Sequence, residues 1–301
     1  MTGDWIALVV ARWLNFVAVA GLFGMALFPL YVPEAARRAY LAQQAMRSFM
    51  IAGGVLTLAS TFAWAGAAMA NMAGDSAALW DRSAWSSFLF DTSFGFAWVA
   101  RGALALAVML TIFITRGRSA FGAVVALSAG LLVSQAWVGH VASLAAPARW
   151  GVTLAYAVHV LGAGAWFGGL LALAIAMKGA RAVTAPARKA AEALLVRFSS
   201  VGLAAVGAIA VGGTVNVLAH GASTREMLLT SGWGRALAVK MALVVGMLLL
   251  ASANRFILMP RLSRGEASAL PTLGRSVLIE QVLGLAVLAS TAALGVLDPS
   301  S

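Results

Sequence analysis

Eight stretches of this chain are apolar over a length that matches the hydrocarbon thickness of a bilayer, and that property restricts the fold more than any motif. They run from Trp5 to Leu30, Met46 to Ala70, Phe94 to Thr115 and Ser119 to Ala142. The second four run from Trp150 to Met177, Leu194 to Ala219, Gly234 to Leu258 and Leu273 to Val296. A helix that crosses a membrane needs about 20 mostly apolar residues. The chain is 62% hydrophobic and 10% charged, against about 25% charged residues in a soluble domain, so lipid must act as its solvent. The expected fold class is therefore all-α: a polytopic transmembrane bundle of eight helices, forming a single integral membrane domain over residues 1–301. The segment before the first stretch, Met1-Thr2-Gly3-Asp4, carries no basic run. That stretch reads as a retained helix and not as a cleaved signal peptide.

The basic residues set the expected orientation, because loops rich in Lys and Arg stay on the cytoplasmic side. Arg37, Arg38, Arg47, Arg116 and Arg118 fall on one side, followed by Lys178, Arg181, Arg188, Lys189 and Arg197, then Arg255, Arg261, Arg264 and Arg275. The opposite loops hold Asp4, Asp75, Asp81, Asp91, Glu226 and Asp298, against Arg82, Arg149, Arg225 and Arg235. Both termini are thus expected outside. The net charge of +11 is mostly cytoplasmic loop and does not point to nucleic acid. Trp5, Trp80, Trp85, Trp98, Trp137, Trp150 and Trp233 fall near the outer interface, where tryptophan anchors helices at the headgroups. The amphipathic segment from Ser83 to Asp91 suits either a position on the membrane surface or a lid over a cavity.

The two halves share short patterns. Arg101 lies six residues after Gly95 in the third helix, and Lys240 six after Gly234 in the seventh. Asn15 precedes Leu22-Phe23-Gly24 at the spacing by which His159 precedes Trp166-Phe167-Gly168. This predicts a parallel four-plus-four duplication with halves 1–145 and 146–301. The glycines Gly162, Gly164, Gly168 and Gly169 of helix five, and Gly202, Gly207, Gly212 and Gly213 of helix six, predict close packing that makes those two helices central.

The chemistry-bearing residues are few. Cysteine is absent, which removes thiolate metal sites and disulfides and leaves His and Met as soft-metal ligands. His140, His159 and His220 all fall in the outer half of the membrane on this topology, with His159 nearest its middle. A polar side chain at that depth is costly unless paired or functional, so the readings are a ligand or a hydrogen-bonded core histidine. Met69 and Met72 lie three apart at the outer end of helix two, and Met227 follows His220. They are candidate thioether ligands or ordinary apolar filler. Arg12, Arg101, Lys240 and Glu280 are charges inside or at the margins of apolar runs that face a cavity, hold a partner or snorkel. Cationic groups repel a metal ion and are not read as ligands.

The run His159-Val-Leu-Gly-Ala-Gly-Ala-Trp166-Phe-Gly168-Gly169 resembles a signature of the copper-resistance D (CopD) family. So do Arg197-Phe-Ser, Gly213-Thr-Val-Asn216, the stretch from Thr230 to Lys240, Asn254-Arg-Phe, Pro260-Arg-Leu and Glu280. The resemblance is strongest over about residues 150–297. It implies an inner-membrane protein that moves copper from the periplasm toward the cytoplasm without enzymatic activity, working beside a small periplasmic copper-binding partner of CopC type. The family's membrane histidines map best onto His159, with His140 and His220 as further candidates and Trp166 and Asn216 within the matching motifs. No nucleotide motif is visible, so nucleotide hydrolysis is not expected to drive it.

Two rival readings stay open at this point. Haem held by His140 and His159 would make the chain a membrane electron carrier, although the two differ in depth by roughly 10 Å. A copper sensor, assembly factor or scaffold would bind the ion without moving it.

Overall fold

The structure, a computed structural model, describes residues 3–92, 94–114, 118–138, 148–179, 185–219 and 231–297. Among them every regular element is helical. In chain order these are α1 (Gly3–Tyr31), α2 (Glu34–Leu41), α3 (Gln44–Ala73), a 3-10 turn (Ser76–Trp80) and α4 (Arg82–Phe90). Then come α5 (Gly95–Ile114), α6 (Arg118–Ser134, extended by a 3-10 turn at Gln135–Val138), α7 (Ala148–Gly179) and α8 (Ala185–Ala219). The last are α9 (Gly232–Ala253), a π-helical turn (Asn254–Leu258), α10 (Met259–Ser263) and α11 (Ala269–Leu294). Eight helices are long and apolar enough to cross a membrane: α1, α3, α5, α6, α7, α8, α9 with its continuation through α10, and α11. The expected eight-helix transmembrane bundle is what forms. Its two ends are called here the α4 end and the basic end.

Glycine decides which helices sit at the middle. A Cβ on Gly24 of α1 would lie 2.5 Å from the backbone nitrogen of Gly169 and 2.6 Å from the carbonyl carbon of Gly168, and would overlap the carbonyl oxygen of Gly164. A Cβ on Gly168 of α7 would lie 2.5 Å from the carbonyl oxygen of Ala20. The backbones of α1 and α7 therefore touch, which only glycine allows. The expectation that helices five and six are central is half corrected. The membrane window of α7 is 72% buried and that of α1 is 56% buried, whereas that of α8 is 22% buried. Gly202 and Gly207 of α8 face open space and only Gly212 and Gly213 pack, both against α7. A single sequence cannot say which face of a glycine-rich helix meets a neighbour.

The expected duplication is not established. In the first half α5 packs on both α3 and α6, but α9, its counterpart, packs chiefly on α11 and is the least buried of the eight.

At the basic end, Pro33 separates α1 from the short amphipathic helix α2, which seals the bundle beneath α1, α7 and α8. Its Tyr40 is fully buried, packs in a tilted contact with Phe28 at 5.0 Å between ring centroids and donates to the carbonyl oxygen of Met25 at 3.4 Å. Burial pushes the Tyr40 phenol well above its ordinary value. At the α4 end, α3 stops at Gly74 in the left-handed conformation, φ +71°. Asp75 and Asp81 then cap the 3-10 turn and α4 by accepting from the backbone nitrogens of Ala77 and Ser83, each at 2.8 Å. Helix α4 buries Phe88 against Trp98, Trp85 and Phe94, while Trp80 and Phe90 stay exposed. The interfacial belt is thus smaller than expected, since Trp98 and Trp233 are core residues and Trp80, Trp137 and Trp150 are the exposed ones.

Candidate functional site

Two polar groups interrupt the apolar interior of the α4-end half of the bundle. The first is built on Arg101 of α5, which is completely buried. Its guanidinium donates to Asn15 Oδ1 of α1 at 2.8 Å, to Ser134 Oγ of α6 at 2.8 Å and to the carbonyl oxygen of Leu131 at 3.1 Å. It also lies over the Trp64 ring at 4.6 Å and the Trp98 ring at 5.7 Å. Asn15 in turn donates to Ser60 Oγ and Thr61 Oγ1 of α3, at 3.1 and 2.9 Å. Arg12, one turn toward the α4 end from Phe16, also lies over the Trp64 ring, at 5.1 Å. A Cβ at Gly295 would meet its guanidinium, so glycine at the end of α11 leaves that group its present position. Stacking and hydrogen bonds spread these two charges where lipid could not solvate them.

The second group centres on His159 of α7, about 16 Å along that helix from Ala148. Its Nδ1 lies 2.9 Å from the backbone carbonyl oxygen of Ile209 on α8. A carbonyl has no proton to give, so Nδ1 carries the hydrogen and Nε2 keeps its lone pair. This is the arrangement in which a backbone carbonyl orients an imidazole for a ligand on the other nitrogen. Glycine again makes room. A Cβ on Gly213 would sit 3.1 Å from ring atoms Cε1 and Nδ1, and one on Gly212 would sit 2.9 Å from His159 Cβ. Lys240 lies eight residues after Gly232, in the α4-end half of α9. Asn216, three residues beyond Gly213 on α8, is half-buried on the same side of that helix.

Tyr156, one turn from His159 on α7, joins the two groups. Its hydroxyl donates to Gln135 Oε1 at 3.1 Å, next in the chain to Ser134, to which Arg101 donates. Sequence reading passed over Tyr156, Gln135 and the Ser60–Thr61 pair. The usable signal was a polar side chain three residues from His159 inside an apolar run.

The remaining candidates are scattered. Trp166 is buried in the main core beside Phe167, two turns from His159. Met69 is packed in the cluster of Leu8, Phe16, Trp64 and Trp98, whereas Met72 is 53% exposed. Glu280 of α11 is buried and accepts a hydrogen bond from Asn254 Nδ2, the first residue of the π-helical turn. Its level follows from Gly284, whose Cβ would lie 2.9 Å from Phe167 Cδ2. One turn further on, Glu280 is about 18 Å from His159 along the bundle. His140, His220 and Met227 lie outside the described residues. Among the described residues no three His, Cys, Asp or Glu side chains converge as a ready-made metal site.

Comparison with known proteins agrees with these motifs. Residues 1–150 match the N-terminal domain of copper resistance protein D-like proteins, and residues 192–294 match copper resistance protein D. The inner membrane protein YebZ of Escherichia coli (strain K12) is 30% identical over 98% of both chains. Copper resistance protein D of Pseudomonas syringae pv. tomato is 30% identical over 97% of this chain and 96% of its own. The copper transport protein CutJ of Bacillus subtilis (strain 168) is 30% identical over 68% of this chain and 37% of its own. No solved structure matches.

Proposed function

The chain belongs to the copper resistance protein D family, and from that membership we propose that it carries copper across the bacterial inner membrane. Copper is taken at the periplasmic face and passed inward, and the protein is a carrier and not an enzyme. The basic residues around α2, α8 and α10 support a cytoplasmic position for the basic end. The α4 end, with both termini, is then periplasmic.

The single observation that carries this reading is the state of His159. It is the one imidazole among the described residues, it sits deep in the bundle, and its Nδ1–H is held by Ile209 so that Nε2 is presented as a ligand. The names of two relatives, a copper resistance protein and a copper transport protein, support copper as the cargo. The relative named an inner membrane protein supports the location. His140, His220 and the methionines Met69, Met72 and Met227 remain the further ligands of this reading, supplied as the ion moves past the α4 end. Delivery would come from a small periplasmic copper-binding protein of CopC type, for which the segment from Ser76 to Asp91 offers an exposed acidic and aromatic surface.

The test is copper retention by the purified protein after anaerobic loading with Cu(I), with an absorbance spectrum alongside. Retained copper without a Soret band is expected, and His159→Ala should weaken it by roughly 100-fold. Wild-type affinity in His159→Ala would refute the assignment of the site, and a Soret band without copper would refute the cargo in favour of haem.

A further inference from the structure

One buried ionisable group has no part in the site around His159. Glu280 of α11 is 2% exposed and lies about 18 Å along the bundle from that imidazole. Among the described residues no basic side chain pairs with it, and its polar partner is Asn254. The other charged and titratable groups on the elements packed around α11 are engaged elsewhere. Arg12 of α1 sits against Gly295 at the opposite end, and Tyr31 of α1 sits beside Gly169 of α7. Tyr156 and His159 of α7 belong to the α4-end half. Lys240 is about 21 Å along α9 from Asn254. Arg255 donates to Ser199 Oγ of α8 at 2.7 Å. Arg261 and Arg264 pair with Glu266 in exposed positions, and Arg275 of α11 is exposed. An ionised carboxylate enclosed among helices without a cation is costly, and one bound proton removes that cost.

Asn254 suits a group that gains and loses a proton. Its Nδ2 donates to Glu280 Oε1, which fits an ionised carboxylate. Its Oδ1 is buried and has no hydrogen-bond partner among the described residues, and such an acceptor calls for a donor. A protonated carboxyl is one, because a half-turn of the amide about its last bond brings Oδ1 to the carboxyl O–H. The same side chain thus completes both states. The backbone here is irregular as well. Asn254 opens the π-helical turn, in which Met259 N–H bonds to the Asn254 carbonyl oxygen, and Pro260 follows without an N–H. Such turns are frequent at functional sites. Asn254 ties this turn to α11 and Arg255 ties it to α8, so the charge on Glu280 bears on how the turn is held. The basic end is near, since Glu280 is five residues, about 8 Å, from exposed Arg275. Ser276, buried on the same face one turn nearer that end, supplies a hydroxyl between them. We propose that Glu280 and Asn254 form a proton-binding site reached from the basic end, and that its proton is the ion to which copper movement is coupled. The coupling rests on the copper reading of the preceding subsection, whereas the proton site stands on its own geometry.

The experiment is an infrared pH titration of the copper-free full chain in detergent, for the wild type, Glu280→Gln and Asn254→Ala. It is followed by Cu(I) uptake into proteoliposomes under an imposed pH gradient. The wild type should show the band of a water-shielded protonated carboxyl that falls as pH rises over about pH 5–9, and Glu280→Gln should lack it. In Asn254→Ala the band should persist at the frequency of a carboxyl without a hydrogen bond. With one proton per ion, a gradient of about one pH unit should change the copper accumulation ratio about tenfold. Glu280→Gln should lose that dependence and still retain copper after anaerobic loading. A band that is absent at every pH, does not titrate or survives in Glu280→Gln would overturn the proton site. Sodium that displaces the band at fixed pH would overturn it in favour of a metal cation. Accumulation indifferent to the gradient in the wild type, or equally sensitive in Glu280→Gln, would overturn the coupling. If a variant fails to elute as a folded species, carbodiimide labelling of the wild type decides. Label on the peptide holding Glu280 should fall as pH rises, and its absence at low pH would overturn the site. No copper retained or taken up under any condition, beside a normal titration of Glu280, would instead sink the copper reading and the coupling with it.

Discussion

The crossing of α1 and α7 gives a prediction whose size can be worked from the structure. Replacing Gly24 by Ala puts a methyl carbon 2.5 Å from the nitrogen of Gly169 and 2.6 Å from the carbonyl carbon of Gly168. Non-bonded carbon contacts settle near 3.5–4.0 Å, so the two helices must separate by about 1 Å. Every atom in the way is backbone, and no side-chain rotation relieves the clash. Overpacking of this kind costs about 1–3 kcal/mol, and the rigidity of both partners argues for about 3. Gly202→Ala on α8 is the control, because nothing lies within 4 Å of its new carbon. There the exchange should stabilise the helix by about 0.5–1 kcal/mol through backbone entropy. The gap of roughly 3–4 kcal/mol corresponds to a difference in Tm of about 6 °C or more. Thermal unfolding of the two variants in the same detergent measures it. Gly168→Ala, which meets the carbonyl oxygen of Ala20, should behave like Gly24→Ala. Equal midpoints for Gly24→Ala and Gly202→Ala would refute the claim that a glycine contact between α1 and α7 organises the bundle.

Other consequences are open to simpler checks. Arg101→Leu removes the donor to Asn15 and Ser134 and should lower stability by about 3 kcal/mol, read from the same thermal scans. Arg101→Lys should recover less than half of that, because an ammonium cannot reproduce the planar fork or its stacking on Trp64. Gly213→Val crowds the ring of His159 and should weaken copper retention by roughly 10–100-fold while leaving the unfolding midpoint near that of the wild type. Hydrogen bonds from Ser83 hold the Asp81 carboxylate below its usual range. A depressed value in the folded state means that the cap contributes above the ordinary carboxylate pKa and is lost as pH falls through the folded value. Amide exchange in α4 should therefore be independent of protonation at Asp81 between about pH 5 and 8. It should lose protection only under strong acid, and Asp81→Asn should abolish that acid response.

The eight spans could be read from the sequence because apolar length is a local property, and the structure keeps each of them to within a few residues. The neighbours could not, because they depend on which face of each helix turns inward. Helices α7 and α8 are both rich in glycine, yet Gly202 and Gly207 of α8 meet nothing, and the partner α7 uses at its centre is α1, where only Gly24 of its glycines makes the close approach. Met69 and Met72 share a helix face by spacing, but the boundary of the core falls between them. Trp98 sits at the level of an interfacial belt, but its neighbours Trp64 and Phe88 pull it inward.

The polar residues show the same division most clearly. That Arg101 and His159 needed partners followed from their depth, since an unpaired polar group in lipid is costly wherever it occurs. Which partners they have did not follow. Arg101 is answered by Asn15, 86 positions earlier in the chain, and His159 by the backbone carbonyl of Ile209 on the next helix. A backbone carbonyl has no sequence signature, but the room it needs does. Gly212-Gly213 is the one adjacent glycine pair in α8, and it faces the imidazole. Adjacent glycines opposite a half-buried histidine are therefore the more useful pattern for finding such a site, because they mark where the backbone must come close enough to accept the proton that fixes the ring.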